Sequence, residues 1–428
     1  MNRQTRRTVL YVERNTDGTI GGSYRSLLYL VRLLPKEQWR PITVFYRDHH
    51  LIDEYRKAGS QVMLLEYPRS TNLLAGAGRL GRFAPLRTLL LLAQKVTNVR
   101  GSLGLILSHI ALLRRERVDL VHLNNGVMSG TELLVAARLL GIKTIVHQRG
   151  IQPLPGSFTS IRKLIDHVIS VSDAAGSHLV ANGLAPERCT TVHNGIDPEE
   201  FRKSVTRDRQ QVKASFGIPA DALVVGNSGM IKVWKGQFVL VQAIAQLRAA
   251  HPNVHCLIVG GTSDSFDGDN AYLNQIQAFV REHGLESCVH FAGYQRNIAD
   301  FLQVFDIMVH TSIDPEPFSR SVLEGMTMGK AMVATRTGGT PEAIQDNVTG
   351  LLVEPNDSVE LARKLDLLLR DSRMRAELGQ GARRRIDERF SIQRNVEATQ
   401  RIYSQVMDAG GQRPVGSLHE TPEAPRSA

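Results

Sequence analysis

The sequence predicts an α/β fold with two parallel sheets, and three observations support that prediction. Short apolar runs rich in β-branched residues alternate with longer helical patterns, which is typical of parallel sheets covered by helices. The polar stretch 197–213 divides this alternation into two series. At 428 residues, the chain is also too long for one ordinary core. We therefore expect two domains and a ligand cleft at the carboxyl ends of their strands.

The expected strands are short apolar runs, each followed by polar or glycine-rich residues. In chain order the first series is TVLYVE, PITVFY, VDLVHL, KTIVHQ, DHVISVS and TTVHNG. The second series is ALVVGNSG, VHCLIVGG, VHFAGY, FDIMVHTS, AMVATRTGG and GLLVEP. These series predict domains at 1–196 and 197–389. The last residues, 409–428, lack apolar periodicity and are predicted to form a disordered tail.

Composition excludes several classes of protein. No apolar run approaches the roughly 20 residues that a membrane-spanning helix needs, and the apolar segment near the N-terminus ends at Glu13 and Arg14, too early for a secretory signal. We therefore expect a cytoplasmic protein. Cys189, Cys256 and Cys288 lack the spacing of a zinc site or a disulfide framework. No metal site is predicted.

The excess positive charge lies entirely in the first half. Residues 1–196 hold 26 Lys or Arg against 13 Asp or Glu, whereas the remainder holds 26 against 29. Within that half, Arg69 to Arg117 carries nine basic residues and one acid, interleaved with leucines. Two interpretations remain open: a helix pair that buries its leucines and solvates its arginines, or a surface that meets anionic lipid or an acidic acceptor.

This basic segment is expected to form two short helices, because Gly101 and Gly104 interrupt it. The arginines expected to contact a membrane or an acceptor are Arg79, Arg82, Arg87 and Arg100. Nucleic acid is a weaker candidate partner, because few aromatic residues interleave the charges.

One apparent cofactor motif is rejected. The stretch GAGRLG at 76–81 matches a dinucleotide-binding fingerprint, but that motif is informative only directly after a strand and about 20 residues before an acid. Here about ten residues separate it from the run QVMLLE, and no acid occurs between Gly81 and Glu116. Nicotinamide and flavin cofactors are therefore not expected.

The stretch EPFSRSVLEGMTMGK places two carboxylates close to a helix start. Pro315 and Pro317 keep Glu316 on a loop, and Ser319 is the expected N-cap of a helix from Arg320 to Thr327. Glu324 then lies about one turn into that helix. Two such acids can bind hydroxyl groups of a polar ligand, while free amides at the helix start favour an anion. The alternative is that Glu324 complements the helix dipole and Glu316 is solvated.

Three glycine turns after strands are candidate phosphate-binding loops. GNSGMIKVWKGQ places Gly229 at a turn and adds the cations Lys232 and Lys235, which suit a diphosphate. The other two turns are Gly338-Gly339 in TRTGGTPEAI and Gly21-Gly22 in TIGGSYRSLL. Solvated lysines and plain tight turns are the alternatives.

His147 closes the strand-like run KTIVHQ. A histidine at the end of a strand can face the cleft and touch a substrate hydroxyl. A core histidine is the common alternative.

The combined motifs resemble those of the retaining, nucleotide-sugar-dependent glycosyltransferases of family 4. They are E-x7-E at Glu316 and Glu324, G-x5-K-G at 229–236, GG-x-PE at 338–342, VSD at 171–173 and HNGID at 193–197. The resemblance spans nearly the whole chain, from Val9 to about Val406. It implies a GT-B fold, in which two Rossmann-like domains face each other across a cleft and a final helix at about 390–408 crosses back to the first domain.

The resemblance also implies roles for individual residues. Lys235 would neutralise the donor diphosphate, Glu324 would accept the ribose hydroxyls, and Glu316 would hold sugar hydroxyls with Phe318 and Ser319 beside it. His147 would contact the donor sugar from the opposite domain, and amides near the two double-glycine turns would complete the phosphate cradle. Transfer would proceed with retention, without metal or other cofactor, to a hydroxyl of a glycan or lipid-linked acceptor, as in the assembly of cell-surface polysaccharide or glycolipid. The basic segment at 69–117, rather than the resemblance, predicts a peripheral contact with the inner face of the cell membrane.

The sequence departs from the family pattern at several positions. The family usually has arginine directly after the first glycine of the phosphate loop, where this chain has Met230. Lys232 is a candidate replacement, although it lacks the bidentate fork of arginine. Ser319 replaces the usual glycine and Gly325 a common alanine. Arg320 is a further cation that can contact a charged donor or pair with Glu316.

Two other classes of function fit parts of the sequence. A nucleotide-sugar 2-epimerase can use the same fold and phosphate chemistry, but the E-x7-E spacing favours transfer. A non-enzymatic protein that binds anionic lipid would explain the basic half of the chain, but it would leave the phosphate loops of the second half unexplained.

Overall fold

A computed structural model of the chain describes residues 6–14, 22–66, 84–262 and 267–408 and contains two parallel sheets. The first has seven strands in the order β3-β2-β1-β4-β5-β6-β7. These strands are β1 (Arg7–Glu13), β2 (Trp39–Phe45), β3 (Gln61–Leu64), β4 (Leu120–Leu123), β5 (Lys143–Gln148), β6 (His167–Ser170) and β7 (Cys189–Thr191). Helices cover both faces, which explains why β1 reads as a continuous apolar run.

The helices of this first domain are α1 (Gly22–Leu33), α2 (Ile52–Lys57), α3 (Ala84–Arg115), α4 (Thr131–Leu139), α5 (Phe158–Ile161) and α6 (Asp173–Ala181). Leu10 of β1 lies level with Ile42 of β2 and with Val121 of β4. This register brings the carboxyl ends of β1, β4 and β5 to one edge of the sheet.

The second sheet has six strands in the order β10-β9-β8-β11-β12-β13. Its strands are β8 (Leu223–Ser228), β9 (Val254–Val259), β10 (Val289–Gly293), β11 (Ile307–His310), β12 (Ala331–Thr335) and β13 (Leu351–Val353). The helices from the linker onward are α7 (Pro198–Lys203), α8 (Arg209–Ala214), α9 (Gln237–Leu247), α10 (Asp267–Glu282), α11 (Ala299–Leu302), α12 (Arg320–Thr327), α13 (Thr340–Ala343), α14 (Ser358–Arg370), α15 (Ser372–Arg389) and α16 (Ile392–Asp408). The predicted α/β class with two parallel sheets is confirmed.

The last helix, α16, packs on the first domain. Ile392, Val396 and Ile402 join the apolar core that includes α1 and one face of the first sheet. The hydroxyl of Tyr403 contacts Nδ1 of His122 and donates to the hydroxyl of Tyr11 at 3.2 Å. The chain therefore returns to its first domain after completing the second.

The expectation of two short helices in the basic segment was wrong. A single helix, α3, runs through Gly101 and Gly104. Each glycine costs a helix interior about 1 kcal/mol relative to alanine, but Leu112 and Leu113 are buried in the core, and Ile106 and Ile110 pack against it. Burial of these four side chains outweighs the cost of the glycines.

Several predictions fall outside the described residues: Gly21, Arg79, Arg82, the motif at 76–81 and the tail at 409–428. Arg87 and Arg100 lie in α3, but the structure describes only their backbone. None of the helices in the described ranges is both long and apolar enough to cross a membrane.

Candidate active site

Three polar turns of the second domain meet at the carboxyl ends of the neighbouring strands β8, β11 and β12. Lys235 ends a short 3-10 turn after β8, and Glu316 lies on the loop after β11, as predicted. The lysine Nζ forms an ion pair with Glu316 Oε2, and the two side chains are only 16% and 10% exposed. The ammonium group also lies 4.1 Å from the ring centroid of Trp234.

Backbone contacts hold the Lys235 turn against the end of β11. Thr311 Oγ1 donates to the carbonyl of Lys235 at 3.0 Å, and the amide of Ile313 donates to the carbonyl of Trp234 at 2.8 Å. Gly236 has φ +65°, and a Cβ there would lie 2.1 Å from the Thr311 carbonyl oxygen. Only glycine fits this close approach, which fixes the lysine beside Glu316.

The carboxylate of Glu316 has a second set of partners that sequence reasoning missed. Ser312 Oγ donates to Glu316 Oε2 at 3.1 Å, and His310 Nε2 lies 3.6 Å from the same oxygen. Burial opposes ionisation of Glu316, but the charge of Lys235 and the hydrogen bonds outweigh it and hold its pKa below the ordinary value. Glu316 is therefore a carboxylate at neutral pH, suited to accept hydrogen bonds from hydroxyl groups.

His310 supports this carboxylate from behind. Since the Ser312 hydroxyl proton goes to Glu316, Ser312 Oγ accepts from His310 Nε2 at 3.2 Å. Burial lowers the pKa of His310 to about 4, so the ring is neutral at pH 7. The signal that could have identified His310 is its position after the apolar residues IMV of the run FDIMVHTS, at the end of the expected strand, the same signal that singled out His147.

The turn Gly338-Gly339 packs directly on the Glu316 loop. The amide of Gly339 donates to the carbonyl of Glu316 at 2.8 Å. A Cβ on Gly338, whose φ is +55°, would lie 2.0 Å from that carbonyl oxygen, and one on Gly339 would lie 2.2 Å from the oxygen of Pro317. Glycine at both positions lets a predicted phosphate turn lie against a predicted sugar-binding acid.

The neighbouring helix α12 has the predicted bounds and the predicted N-cap residue, but that residue makes no capping hydrogen bond. Ser319 occupies the N-cap position without a side-chain bond to the helix amides. Its hydroxyl contacts Ser321 Oγ at 3.0 Å instead. Ser319 and Phe318 are both 4% exposed, and the Phe318 ring packs against His193 and Phe390 at centroid distances of 4.8 and 5.4 Å.

Lys232 is engaged elsewhere in the structure. Its Nζ lies 3.5 Å from Oδ2 of the buried Asp269. Beside it, Gly229 adopts φ +153°, and the Met230 carbonyl accepts from Gln237 Nε2 at 2.9 Å. Whether Lys232 replaces the missing arginine of this loop stays a prediction.

Glu324 pairs with Arg320 rather than standing alone. Arg320 Nη2 lies 3.7 Å from Glu324 Oε1, and each side chain is 13% exposed. Burial raises the pKa of Glu324, while Arg320 and Arg25 oppose the rise. The sequence left open a pair between Arg320 and Glu316, but in the structure Arg320 pairs with Glu324.

In the first domain, His147 lies at the end of β5 and is 1% exposed. Its ring stacks on His122 with centroids 5.5 Å apart, and its Nδ1 accepts from Arg149 Nη2 at 3.3 Å. Burial, with the nearby charge of Arg149, holds its pKa well below the ordinary value. Its predicted contact with the donor sugar stays a prediction. Gly22, of the predicted phosphate turn, is the first residue of α1, which follows β1 in the chain.

Arg149, which the sequence did not single out, links the two domains. It donates to Asn124 Oδ1 and to Asn194 Oδ1, both at 2.9 Å. Asn194 in turn donates to the carbonyl of Phe318 at 3.1 Å, next to Glu316. Asn124 also donates to the buried carboxylate of Glu13, whose pKa burial raises. A continuous polar network thus runs from β1 to the Glu316 loop.

A second contact joins the domains at Glu342 of α13. Its carboxylate accepts from the amides of Asp173 and Ala174 at 2.8 and 2.9 Å and contacts His193 Nε2 at 2.7 Å. Asp173 and Ala174 are the first two residues of α6, so the Glu342 carboxylate also lies at the positive end of that helix dipole. The motifs VSD, HNGID and GG-x-PE therefore meet in space.

Clusters of three or more His, Cys, Asp or Glu that could hold a metal ion do not occur in the part of the chain that the structure describes. Around Glu316 and Glu324, the groups that could bind an anion are the side chains of Lys235, Arg320 and Arg25 and the backbone amides of the glycine turns.

Comparison with known proteins agrees with this geometry. The family model of group 1 glycosyl transferases matches residues 208–385, and that of Glycosyltransferase Family 4 matches residues 20–200. N-acetyl-alpha-D-glucosaminyl L-malate synthase of Bacillus anthracis is 31% identical over 306 residues, which cover 69% of this chain and 76% of that enzyme. The chain belongs to glycosyltransferase family 4.

Other relatives of this family 4 glycosyltransferase match over shorter lengths or at lower identity. D-inositol 3-phosphate glycosyltransferase of Stackebrandtia nassauensis is 33% identical over 205 residues, 46% of this chain and 44% of that enzyme. A glycosyltransferase of Rickettsia africae superposes with a TM-score of 0.79 at 21% identity, covering 94% and 99% of the two chains. HepE of Anabaena, solved with UDP and glucose, gives 0.74 at 22% identity, with 92% and 99% covered. The predicted GT-B fold is confirmed.

Proposed function

We propose that this glycosyltransferase moves a sugar from a nucleotide-diphosphate sugar to a hydroxyl of a glycan or lipid-linked acceptor, with retention at the anomeric carbon. The observation that carries the proposal is the Lys235–Glu316 ion pair, which lies against the Gly338-Gly339 turn at the strand ends of the second domain. The Lys235 cation suits the diphosphate of such a donor, and the Glu316 carboxylate beside it suits the sugar, whose hydroxyl groups can donate hydrogen bonds to it. The complex of the neighbour HepE with UDP and glucose supports this assignment.

Each group has a distinct task in the transfer. The bond between the anomeric carbon and the diphosphate oxygen breaks, and its electron pair goes to that oxygen, where negative charge develops. The acceptor oxygen bonds to the anomeric carbon, and the acceptor hydroxyl proton passes to the leaving diphosphate. Lys235 lies in a largely buried position, where a cation stabilises that charge more strongly than it would in water. Glu316, ionised and held by Ser312, accepts hydrogen bonds from the sugar. Glu324 accepts hydrogen bonds from the ribose hydroxyls.

Donor binding must exchange partners within the site. Before binding, Lys235 and Glu316 satisfy each other in a largely buried position. The diphosphate then competes for the ammonium group, while the sugar hydroxyls compete for the carboxylate. Both charges therefore keep partners when a complete nucleotide sugar is bound.

The donor proposal is tested by thermal-shift titration with UDP, GDP and ADP. A nucleoside diphosphate present at 100 times its Kd should stabilise the protein by about 2.7 kcal/mol. With the matching nucleotide sugar, free nucleoside diphosphate should accumulate only when an acceptor is added. Accumulation of an epimerised nucleotide sugar without acceptor would identify a 2-epimerase instead, and no stabilisation by any of the three nucleotides would overturn the proposed donor class.

We further propose that transfer needs no metal ion, because Lys235 and the glycine amides supply the compensation that a cation would otherwise give. Turnover measured after exhaustive treatment with chelator should match that of the untreated enzyme. A strict and reversible requirement for Mg²⁺ or Mn²⁺ would refute this part of the proposal.

The same proposal includes the inner face of the cell membrane as the place of action, reached through α3 and the basic segment around it. Leu103 and Leu107, one turn apart on α3, are 55% and 59% exposed, and Arg114 near the helix end is exposed as well. Apolar side chains can enter the head-group boundary while each basic residue adds up to about 1 kcal/mol near anionic lipid. A lipid-linked acceptor would then be presented to the cleft. The sequence left open an alternative in which the same exposed residues of α3 only face solvent.

Co-sedimentation with vesicles that contain or lack acidic lipid tests the membrane proposal. Binding should weaken in salt and fall when Arg79, Arg82, Arg87 and Arg100 are changed to Gln. It should also fall for Leu103→Ser with Leu107→Ser, but not for Leu367→Ser, an equally simple change of an exposed leucine in the second domain. If the intact protein ignores acidic vesicles even at low salt, α3 is a solvated face and the acceptor is soluble.

A further inference from the structure

Arg320 reaches from the second domain onto the first turn of a helix in the first domain. It is the first residue of α12, and its Nη1 donates to Ser26 Oγ of α1 at 3.3 Å. A Cβ on Gly22 would lie 2.6 Å from Arg320 Cδ. Its Nη2 lies 3.7 Å from Glu324 Oε1. The guanidinium therefore touches a residue assigned to the donor ribose and lies beside a residue assigned to the diphosphate.

The surroundings of Arg320 favour an anion. The first turn of α1 contains no acidic residue, and Arg25 in that turn is close enough to Glu324 to oppose the rise in its pKa. Arg320 contacts Glu324 and the charge of Arg25 also acts on it, so around Glu324 two guanidinium charges exceed one carboxylate charge. A diphosphate bound there would balance that excess.

The phosphate loop itself is short of a cation. Met230 stands where the family usually has arginine, and the nearest candidate replacement, Lys232, lies 3.5 Å from the buried Asp269. Of the two lysines in this phosphate loop, Lys235 is therefore the one that lies beside Glu316. An arginine is also better suited than lysine to bind two phosphate oxygens at once, because its donors form a planar fork.

We propose that Arg320 is the second cation of the donor diphosphate, and that it leaves Glu324 for the phosphate oxygens when the donor binds. The inference rests on the proposed function and deepens it. The ribose hydroxyls then replace Arg320 as the partners of Glu324, so both groups keep a partner. Because Arg320 already touches α1, a diphosphate that it holds also meets the first domain.

A different role for Arg320 would be purely structural, as a tie between α12 and α1. The two roles differ in their dependence on phosphate. A structural tie would affect a nucleoside and its diphosphate alike, whereas a phosphate contact affects only ligands that carry phosphate. Inorganic pyrophosphate serves as a probe that is independent of the base.

The experiment compares the binding of a nucleoside, its diphosphate and inorganic pyrophosphate by calorimetry, with UDP, GDP and ADP as the diphosphates. Arg320→Gln should weaken binding of the diphosphate and pyrophosphate about 10- to 100-fold, the usual loss for a charge-assisted hydrogen bond, and should not weaken binding of the nucleoside. Arg320→Lys, which keeps the positive charge, should weaken binding of the diphosphate and pyrophosphate less than Arg320→Gln does. Arg363→Gln, the same change on the exposed side of α14, is the control and should bind as the unaltered protein does.

In the Arg320→Gln background, any further weakening by Gly22→Ala reports the place of Gly22 itself in the predicted phosphate turn. Gly22→Ala alone provides a second variant, because the added methyl group displaces Arg320 Cδ without changing any charge. It should weaken pyrophosphate as well. Equal weakening of nucleoside and diphosphate in Arg320→Gln, or no weakening at all, overturns the inference. If no nucleoside diphosphate binds but pyrophosphate binds through Arg320, the inference stands and the proposed donor class falls; if neither binds the unaltered protein, both are overturned.

Discussion

Lys235 and Glu316 depend on each other, so a change at either residue alters both stability and catalysis. Lys235→Ala should lower turnover by about 100-fold or more, a typical loss for one preorganised electrostatic contact. It should also destabilise the fold, because it leaves a buried carboxylate unpaired. Adding Glu316→Gln should restore stability without restoring turnover. Lys203→Ala, which breaks an exposed ion pair, is the control, and near-normal turnover in Lys235→Ala would remove Lys235 from the mechanism.

His310 gives the site a defined dependence on pH. Its pKa is about 4 in the folded protein because of burial, against about 6.5 when unfolded. Between these values the unfolded chain binds the additional proton, so the free energy of unfolding falls as pH drops from 6.5 to 4. This one residue should account for about 3 kcal/mol of that loss.

Urea unfolding at pH 7 and pH 4.5 measures this contribution. His310→Asn should lose less stability than the unaltered protein between the two pH values, since the variant has no imidazole to protonate. His283→Asn, a change of an exposed histidine, should follow the unaltered protein. Parallel pH profiles for His310→Asn and the unaltered protein would show that His310 is not the proton acceptor in this window.

At the residue scale, the sequence predicted which side chains lie at strand ends but not what they contact. Glu316 on a loop and Lys235 after a glycine turn follow from local rules about proline, glycine and strand ends. Their ion pair spans 81 residues of chain, and the contact of Glu342 with His193 spans 149. The first contact depends on the packing of a complete domain and the second on the packing of two domains, and no local pattern encodes either.

At the scale of single elements, α3 offers a direct test of the balance between helix propensity and packing. Gly101 and Gly104 are exposed, and a Cβ at either position would meet no atom within 4 Å. Gly101→Ala and Gly104→Ala should therefore each stabilise the protein by about 0.5–1 kcal/mol. Chemical denaturation of the two variants measures the gain.

Gly141 is the matched control for this test. It has the same free space around a Cβ, but its φ is +69°, a region that alanine adopts only with strain. Gly141→Ala should destabilise the protein, opposite in sign to the two helix variants. If all three substitutions changed stability alike, backbone conformation would not be the cause.

The elements that the sequence predicted well are those whose apolar pattern and boundary residues agree. The run KTIVHQ became β5 with the same limits, and the helix Arg320–Thr327 was predicted residue for residue. The prediction failed at α3, where the glycines indicated a break but tertiary burial of Leu112 and Leu113 held one helix together. Helix propensity is a weak signal when a long apolar face is buried.

At the scale of the whole molecule, Glu342 forms a compact joint between the domains. Its carboxylate holds the start of α6 and His193 in the first domain. Arg385 of α15 donates to the carbonyls of Glu342 and Ala343, both at 2.8 Å, and fixes the other side of the joint. Gly339 also packs against Ser172, where a Cβ would lie 2.7 Å from the serine Cβ. The turn that borders Glu316 is therefore attached to both domains.

Glu342→Ala should loosen this joint while leaving each domain folded, because three hydrogen bonds to a carboxylate are lost, each worth about 1–3 kcal/mol. Small-angle X-ray scattering should show a larger radius of gyration for the ligand-free variant. Transfer should slow more than nucleoside diphosphate binding weakens, since by our proposal the nucleotide contacts mainly the second domain, whereas transfer needs both. Glu342→Gln, which retains one oxygen acceptor, should show an intermediate effect, and Glu377→Ala, which breaks an exposed pair on α15, should show none. Unchanged scattering and unchanged transfer in Glu342→Ala would mean that the polar network through Arg149 and Asn194, rather than Glu342, sets the arrangement of the two domains.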